Sequence, residues 1–295
     1  MRQFNINFAL AMSQFERVIK KFQIKKIVYK TVFRGRGLEF DSYRNVEPDD
    51  DAMMIDWKAS LRADKLLAKQ YIEERNLDIF FLVDVSNSML FGSSGKSKAE
   101  YAAEVVAALS HLIINSDDNI GLMMFSDKIV KFLPPSKSRN QFALFVKYLS
   151  DSNLYGGGLS FSNVVNSALN SIKSKASAVI LVSDFLHIKP ELAREFKLLG
   201  TKFETFALMI RDPADENLPD VNKMLVLQHP YYKRQMVIDP NVAAEKYRKN
   251  AMEQKNFIKN LFKQTGIDIL ELNTKEEFVM PLVSFLKKRA GRGVE

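Results

Sequence analysis

Ile79-Phe80-Phe81-Leu82-Val83-Asp84-Val85-Ser86-Asn87-Ser88 decides the fold of this chain. Its first five residues are apolar, aromatic or branched and are bounded by turn formers, the pattern of a buried strand. The Asp-x-Ser-x-Ser that follows then stands at the carboxyl end of that strand, where open α/β sheets bind ligands. One carboxylate and two hydroxyls at alternate positions offer three hard oxygen ligands from a single loop. Such a set suits Mg²⁺ or Mn²⁺, with water filling the remaining positions. Asp and Ser after a strand are also ordinary turn and N-cap residues, so the metal reading needs support from the rest of the chain.

Outward from this stretch, strands and helices alternate from about residue 76, the pattern of a doubly wound sheet. A helix capped near Ser97 carries Tyr101, Val105, Leu109, Leu112 and Ile113 as its buried stripe. Asn119 to Phe125 reads as the second strand, with Ile129 to Leu133 returning beside it as a short antiparallel edge that Pro134-Pro135 stops. Ser138 can cap a helix that buries Phe142, Phe145 and Leu149. Gly156-Gly157-Gly158 leads through Ser160 and Ser162 into a helix carrying Val165, Leu169 and Ile172. Ala178 to Val182 is a further buried strand ending in Ser183-Asp184, and Phe203 to Ile210 is the next. Residues 223 to 239 read as an inserted hairpin around Tyr231-Tyr232, followed by a charged helix through Phe262. A last strand, Ile267 to Leu272, feeds Thr274-Lys275-Glu276-Glu277, a capping-box pattern opening the final helix.

Before residue 76, Phe15, Val18, Ile19 and Phe22 fall at helical spacing, and Ile27 to Phe33 reads as a strand. Gly35 and Gly37 open a loop and an acidic segment runs to Asp51. The chain divides on this reading into an N-terminal appendage, residues 1–75, and an α/β domain, residues 76–295, with an insertion around 222–262. Trp57, the only tryptophan, is expected to anchor the appendage by burying its ring, whereas an exposed ring would instead suggest a partner hot spot. Asp49, Asp50 and Asp51 read as a solvated acidic turn in preference to a second cation or Arg-binding feature.

Composition narrows the chemistry. The absence of cysteine removes disulfides, thiolate metal sites and a cysteine nucleophile. His111, His187 and His229 are far apart in sequence, which argues against a zinc enzyme. His111 reads as a helix-face residue, and His187, just after Ser183-Asp184, as structural. No window has the roughly 18 apolar residues of a membrane span. Asn5-Ile6-Asn7 breaks the first apolar run, so no secretory signal is expected, and the expected location is cytoplasmic. The net charge of +8 raises nucleic acid as a partner. Its basic residues are dispersed over the chain, however, and no nucleic-acid partner is expected.

Three polar loops, Asp84/Ser86/Ser88, the Ser160/Ser162 loop and Ser183-Asp184, converge at one crest if the sheet is parallel. In this setting Val83 to Met89, Gly121 to Asp127 and Val182 to Phe185 resemble a von Willebrand factor A domain, and Asp-x-Ser-x-Ser resembles its metal-ion-dependent adhesion site. More narrowly, Tyr43-Arg44-x-x-x-x-Asp49-Asp50, followed by Ile55-Asp56-Trp57-Lys58-Ala59-Ser60, resembles the bacterial domain-of-unknown-function family fifty-eight. Asp212-Pro213 with Leu218-Pro219, and Phe285-Leu286-Lys287-Lys288-Arg289, are similar to its pattern as well. The resemblance spans about residues 34 to 290. It implies a metal set of Asp84, Ser86, Ser88, Ser162 and Asp184, with Ser160 as the alternative to Ser162. The adhesion site usually takes a threonine from its second loop, and none stands between Leu154 and Leu169. Met53 stands where relatives often carry arginine.

The resemblance further implies a non-enzymatic module that binds a protein partner through that partner's Asp or Glu. It also implies assembly or maturation work beside a MoxR-type AAA+ ATPase. Two other readings compete: a Mg²⁺-dependent hydrolase or phosphotransferase using Asp184, and a metal-free scaffold. No Walker-type Gly-x-x-x-x-Gly-Lys-Ser/Thr and no paired histidine supports an enzyme. Gly92-Ser93-Ser94-Gly95-Lys96-Ser97 reads as a turn into a helix rather than a phosphate loop.

Overall fold

The computed structural model describes residues 4–21, 39–47, 54–72, 77–172, 177–232 and 234–292. In chain order these form α1 (Phe8–Lys21), β1 (Glu39–Asn45), α2 (Trp57–Ala63), β2 (Leu67–Ile72), β3 (Asp78–Asp84), α3 (Lys98–Ile114), β4 (Asn119–Phe125), β5 (Ile129–Ser136) and α4 (Arg139–Ser150). There follow α5 (Phe161–Ser171), β6 (Ser177–Ser183), α6 (Ala193–Lys202), β7 (Glu204–Arg211), β8 (Leu225–Gln228), β9 (Gln235–Ile238), α7 (Pro240–Gln264), β10 (Asp268–Asn273) and α8 (Val279–Arg292). The expected strand at Ile27–Phe33, the Gly35/Gly37 loop, Met53 and the Asp49–Asp51 turn lie outside the described residues.

The main sheet has six strands in the order β10-β7-β6-β3-β4-β5. All neighbours pair in parallel except β4 and β5, whose antiparallel pairing forms one edge. The doubly wound, mostly parallel α/β sheet expected from the sequence is therefore the observed fold. Strand β3 is buried at every position but its first, because helices cover both faces of the sheet and suppress alternation. Ile79, Phe81 and Val83 enter a core with Phe15 of α1, Val105 of α3, Phe145 of α4 and Leu282 of α8. Phe80 and Leu82 point the other way, into a core with Val165 of α5, Phe196 of α6 and Phe262 of α7. Chain order reverses at β3: β4 lies on one side of it and β6, then β7, on the other. That is a topological switch point, and its crevice opens at the carboxyl ends of β3 and β6.

Helix α3 differs from its expected single stripe. Nearly all of it is buried, since α1 covers its outer side. Asn5 N and Asn7 N donate to Glu100 and Glu104 of α3 at 2.6 and 2.9 Å. Ser97 caps α3 in a reciprocal box with Glu100, and Ser138 caps α4. Pro134-Pro135 does not stop the edge strand as expected: β5 continues through both to Ser136, which an edge strand tolerates because its outer N–H groups have no partner strand.

Two further expectations are corrected. Trp57 is 61% exposed, so it does not anchor the N-terminal elements. Its segment is fixed instead by Asp56, which caps α2 through Lys58 N and Ala59 N and accepts from Tyr43 Oη at 2.9 Å. The Thr274-x-x-Glu277 pattern does not open the last helix, which starts at Val279. The Thr274 hydroxyl donates to Asp212 Oδ2 at 2.9 Å, so it is committed to a different carboxylate.

Candidate functional site

Parallel pairing brings Val83 opposite Val182, so the residues that follow, Asp84 and Ser183, meet at the sheet crest. Ser183 Oγ donates to Asp84 Oδ2 at 2.6 Å, and Ser86 N donates to Asp84 Oδ1 at 2.8 Å. Both carboxylate oxygens are thus fixed by neighbouring donors. Ser86 Oγ lies 3.3 Å from Ser88 Oγ. Asp84, Ser86, Ser183 and Asp184 are 0% exposed and Ser88 2%. Burial and the nearby charge of Asp184 push the Asp84 carboxyl up to about 7.

Asp184 sits in a different electrostatic setting. Burial works to raise it, but the Lys98 ammonium outweighs that and holds it below the usual carboxylate range. Lys98 is 1% exposed, donates to Asp184 Oδ2 at 2.8 Å and reaches both oxygens of Asp215 at 3.1 and 3.0 Å. Burial would lower the ammonium, yet the two carboxylates hold it above its ordinary value. Asp215 itself is held by Asp212 N, which donates to its Oδ2 at 2.9 Å. Asp212 accepts from Ser93 N at 2.9 Å and from the Ser93 and Thr274 hydroxyls. The Gly92–Ser97 turn is therefore stitched to the ends of β7 and β10, and this stitching delivers Lys98 to the crest.

Backbone bonds join the glycine-rich loop to the Asp84 loop. Gly156 N donates to Val85 O at 2.7 Å, and Asn87 N to Gly157 O at 3.1 Å. Gly157 has φ +85°, and a Cβ there would stand 3.3 Å from Ser126 Oγ. A side chain would be strained in both conformation and space. Ser160 N donates to Ser126 O at 3.2 Å, which ties the loop to the end of β4. Ser160 occupies the N-cap of α5 without its hydroxyl capping the helix, and Ser162 lies in the first turn. The structure thus bonds Asp84, Ser86, Ser88 and Ser183 together, sets Asp184 beside them on Lys98, and draws the Ser160/Ser162 loop alongside through its backbone.

Phe185 has φ +53°, a conformation that costs a non-glycine residue about 1–2 kcal/mol. Phe185 N donates to Ser183 Oγ and Leu186 N to Asp184 Oδ1, both at 3.1 Å. Its ring packs 5.0 Å from Phe262 and 5.7 Å from Phe161. This packing holds the Ser183-Asp184 turn in a fixed shape.

The inserted hairpin closes over the crest. Tyr231 Oη lies 3.1 Å from Ser86 Oγ, and Asn87 Nδ2 donates to Pro230 O at 3.2 Å. The His187 ring meets Tyr231 edge-on at 4.7 Å and stands 5.7 Å from His229. Burial lowers the His187 imidazole and pushes the Tyr231 phenol up to about 12, so both are neutral near pH 7. Lys98 and Tyr231 were not among the residues expected here. A lysine at the first position of a helix, against the macrodipole, was the available signal for Lys98. Two aromatics where a hairpin turn favours Gly and Asn were the signal for Tyr231.

The donor set consists of carboxylates and hydroxyls, the chemistry of a hard cation. Among the described residues no three His, Asp or Glu side chains gather as possible metal ligands, so the hydroxyls would have to complete any coordination. Asp84 fits that role in one respect: it is a buried carboxylate whose hydrogen-bond donors, Ser86 N and Ser183 Oγ, are neutral.

With this geometry in hand, comparison with known proteins places the chain in a family. It matches the family described as "Protein of unknown function DUF58" over residues 42–257, and it belongs to that family. It is 24% identical over 258 residues to the uncharacterised protein Rv1480 of Mycobacterium tuberculosis, covering 86% of this chain and 80% of that protein. The uncharacterised protein Mb1516 of Mycobacterium bovis matches to the same extent. Among solved structures the chain is similar to conserved hypothetical protein BatB from Bacteroides thetaiotaomicron. That match has a TM-score of 0.47 at 15% identity, covering 74% of this chain and 100% of that one. It is also similar to the SpRpn10 VWA domain, with a TM-score of 0.41 at 12% identity, covering 71% and 95%. At these values the architecture rests on the sheet order itself. Among the described residues no helix is long and apolar enough to cross a membrane.

Proposed function

We propose that this protein is a non-enzymatic binding module whose crest holds Mg²⁺ or Mn²⁺ and recognises a carboxylate of a protein partner. The observation that carries the reading is Asp84: a fully buried carboxylate at the switch point, beside two serine hydroxyls, with no cation bonded to it among the described residues. Asp84 supplies the negative charge, Ser86 and Ser88 supply neutral oxygens, and Ser162 or Ser160 supplies a further hydroxyl from the second loop. Asp184 is committed to Lys98 and stands behind the set as a fixed charge. A bound divalent ion would give a partner's Asp or Glu an open coordination position, as the family resemblance implies. The same resemblance, rather than any contact described above, points to a MoxR-type AAA+ ATPase as the partner and to assembly or maturation as the process.

The test is affinity capture from native-source lysate in Mg²⁺ or EDTA, with wild type beside Asp84→Ala and circular dichroism as the folding check. A partner held by wild type in Mg²⁺, and lost both in EDTA and in the variant, supports the module. Equal capture under all conditions contradicts it.

A further inference from the structure

Ser160 and Ser162 on the second loop are only partly buried, but the other side chains that would hold the ion are closed to solvent: Asp84 and Ser86 are 0% exposed and Ser88 2%. A carboxylate from another protein cannot touch them unless some element moves. The helices and strands beneath the crest cannot move freely, because they carry the two cores. The hairpin β8–β9 is differently held. Its strands pair with one another, Leu225 with Ile238 through to Gln228 with Gln235, and they leave Val226, Met236 and Val237 about 60% exposed. An isolated two-stranded hairpin is marginal in water, so its position depends on its end contacts. Those contacts fall on the site itself. Tyr231 Oη meets Ser86 Oγ, the Pro230 carbonyl accepts from Asn87, and the Tyr231 ring rests against His187. Within the tip, Tyr231 N donates to His229 Nδ1 at 3.2 Å and His229 N to Arg234 O at 2.9 Å, which fix how the ring is presented.

We infer that the hairpin is a displaceable strap, with Tyr231 as an internal occupant of the face of Ser86 that a partner's carboxylate would use. Binding then requires the strap to lift, so Tyr231 and the incoming carboxylate exclude each other, and the closed form keeps the crest from engaging stray acidic surfaces. The exclusion rests on the metal-and-carboxylate reading above, whereas the strap itself rests on the contacts alone.

Hydrogen exchange over residues 225–238, read by mass spectrometry, separates the two. Tyr231→Phe keeps the ring against His187 and removes only the hydroxyl, and Asn87→Ala removes the bond to Pro230. Each is expected to speed exchange in the hairpin about tenfold, the worth of one hydrogen bond of roughly 1.4 kcal/mol, while exchange in β3, β4 and β6 stays as in wild type. Ser86→Ala combined with Tyr231→Phe should exchange no faster than either alone, because both cut one contact. Unchanged hairpin exchange in both single variants overturns the strap. Addition of Mg²⁺ with acetate, a simple carboxylate probe, should speed hairpin exchange in wild type. If the variants respond and Mg²⁺ with acetate does not, the strap stands and the metal-bridged reading falls.

Discussion

Lys98 opens α3 at the end where a positive charge opposes the helix macrodipole, yet it is 1% exposed and bonded to two carboxylates. Its position makes sense only through Asp184 and Asp215, which are brought to it from β6 and from the turn after β7. Lys98→Ala leaves both carboxylates buried without their cation and is expected to cost about 3–5 kcal/mol, read as a lowered urea midpoint with an unchanged slope. A loss under about 1 kcal/mol would show that the pair is solvated in solution. At this scale the sequence was legible where one loop carries its own chemistry. Asp84, Ser86 and Ser88 lie at alternate positions of one stretch, and the structure gathers them as expected. Lys98 and Tyr231 were not legible, because their partners lie 86 and 145 residues away and no local pattern encodes such a pairing.

Strand β10 and helix α7 meet through an ion network. Lys255 reaches Glu216 at 2.5 Å and Glu271 at 2.7 Å, and Lys259 reaches Glu271 at 2.7 Å. Burial would raise the Glu271 carboxyl, but Lys255 and Lys259 outweigh it and hold the group at about 2, below its ordinary 4.5. A depressed carboxyl contributes stability above the unfolded value and loses it as pH falls through the folded one. Glu271→Gln is therefore expected to lose about 1–2 kcal/mol at neutral pH, after allowance for solvent screening. The gap from wild type should close between pH 4.5 and 2, followed by urea denaturation across that range. A constant gap would contradict the assignment. Elements are legible in the sequence where caps and periodicity agree, as at Ser97, Ser138 and the hairpin. They are not legible where a side chain bonds outside its own element. Thr274 has the spacing of a cap but its hydroxyl goes to Asp212, and Trp57 carries a core-type ring on a short helix that leaves it in solvent.

Across the whole molecule, one sheet order explains why three distant loops share a crest. The reversal at β3 opens a crevice between β3 and β6, and parallel pairing places Asp84 and Ser183 side by side within it. That convergence followed from element order alone, since alternating strands and helices leave few topologies. The role of α1 did not follow: its apolar stripe signals burial but not against what, and Phe15 and Ile19 prove to enter the main core. The hairpin was visible as an insertion, while its return over the crest is tertiary information. The central claim is that this crest holds a divalent cation, and metal-free protein titrated with Mn²⁺, followed by the electron paramagnetic signal of the free ion, tests it most directly. Wild type is expected to bind one ion per chain, and folded Asp84→Asn and Ser86→Ala/Ser88→Ala variants to bind it about tenfold or more weakly, a loss of at least roughly 1.4 kcal/mol. No binding by wild type, or equal binding by all three, would contradict it.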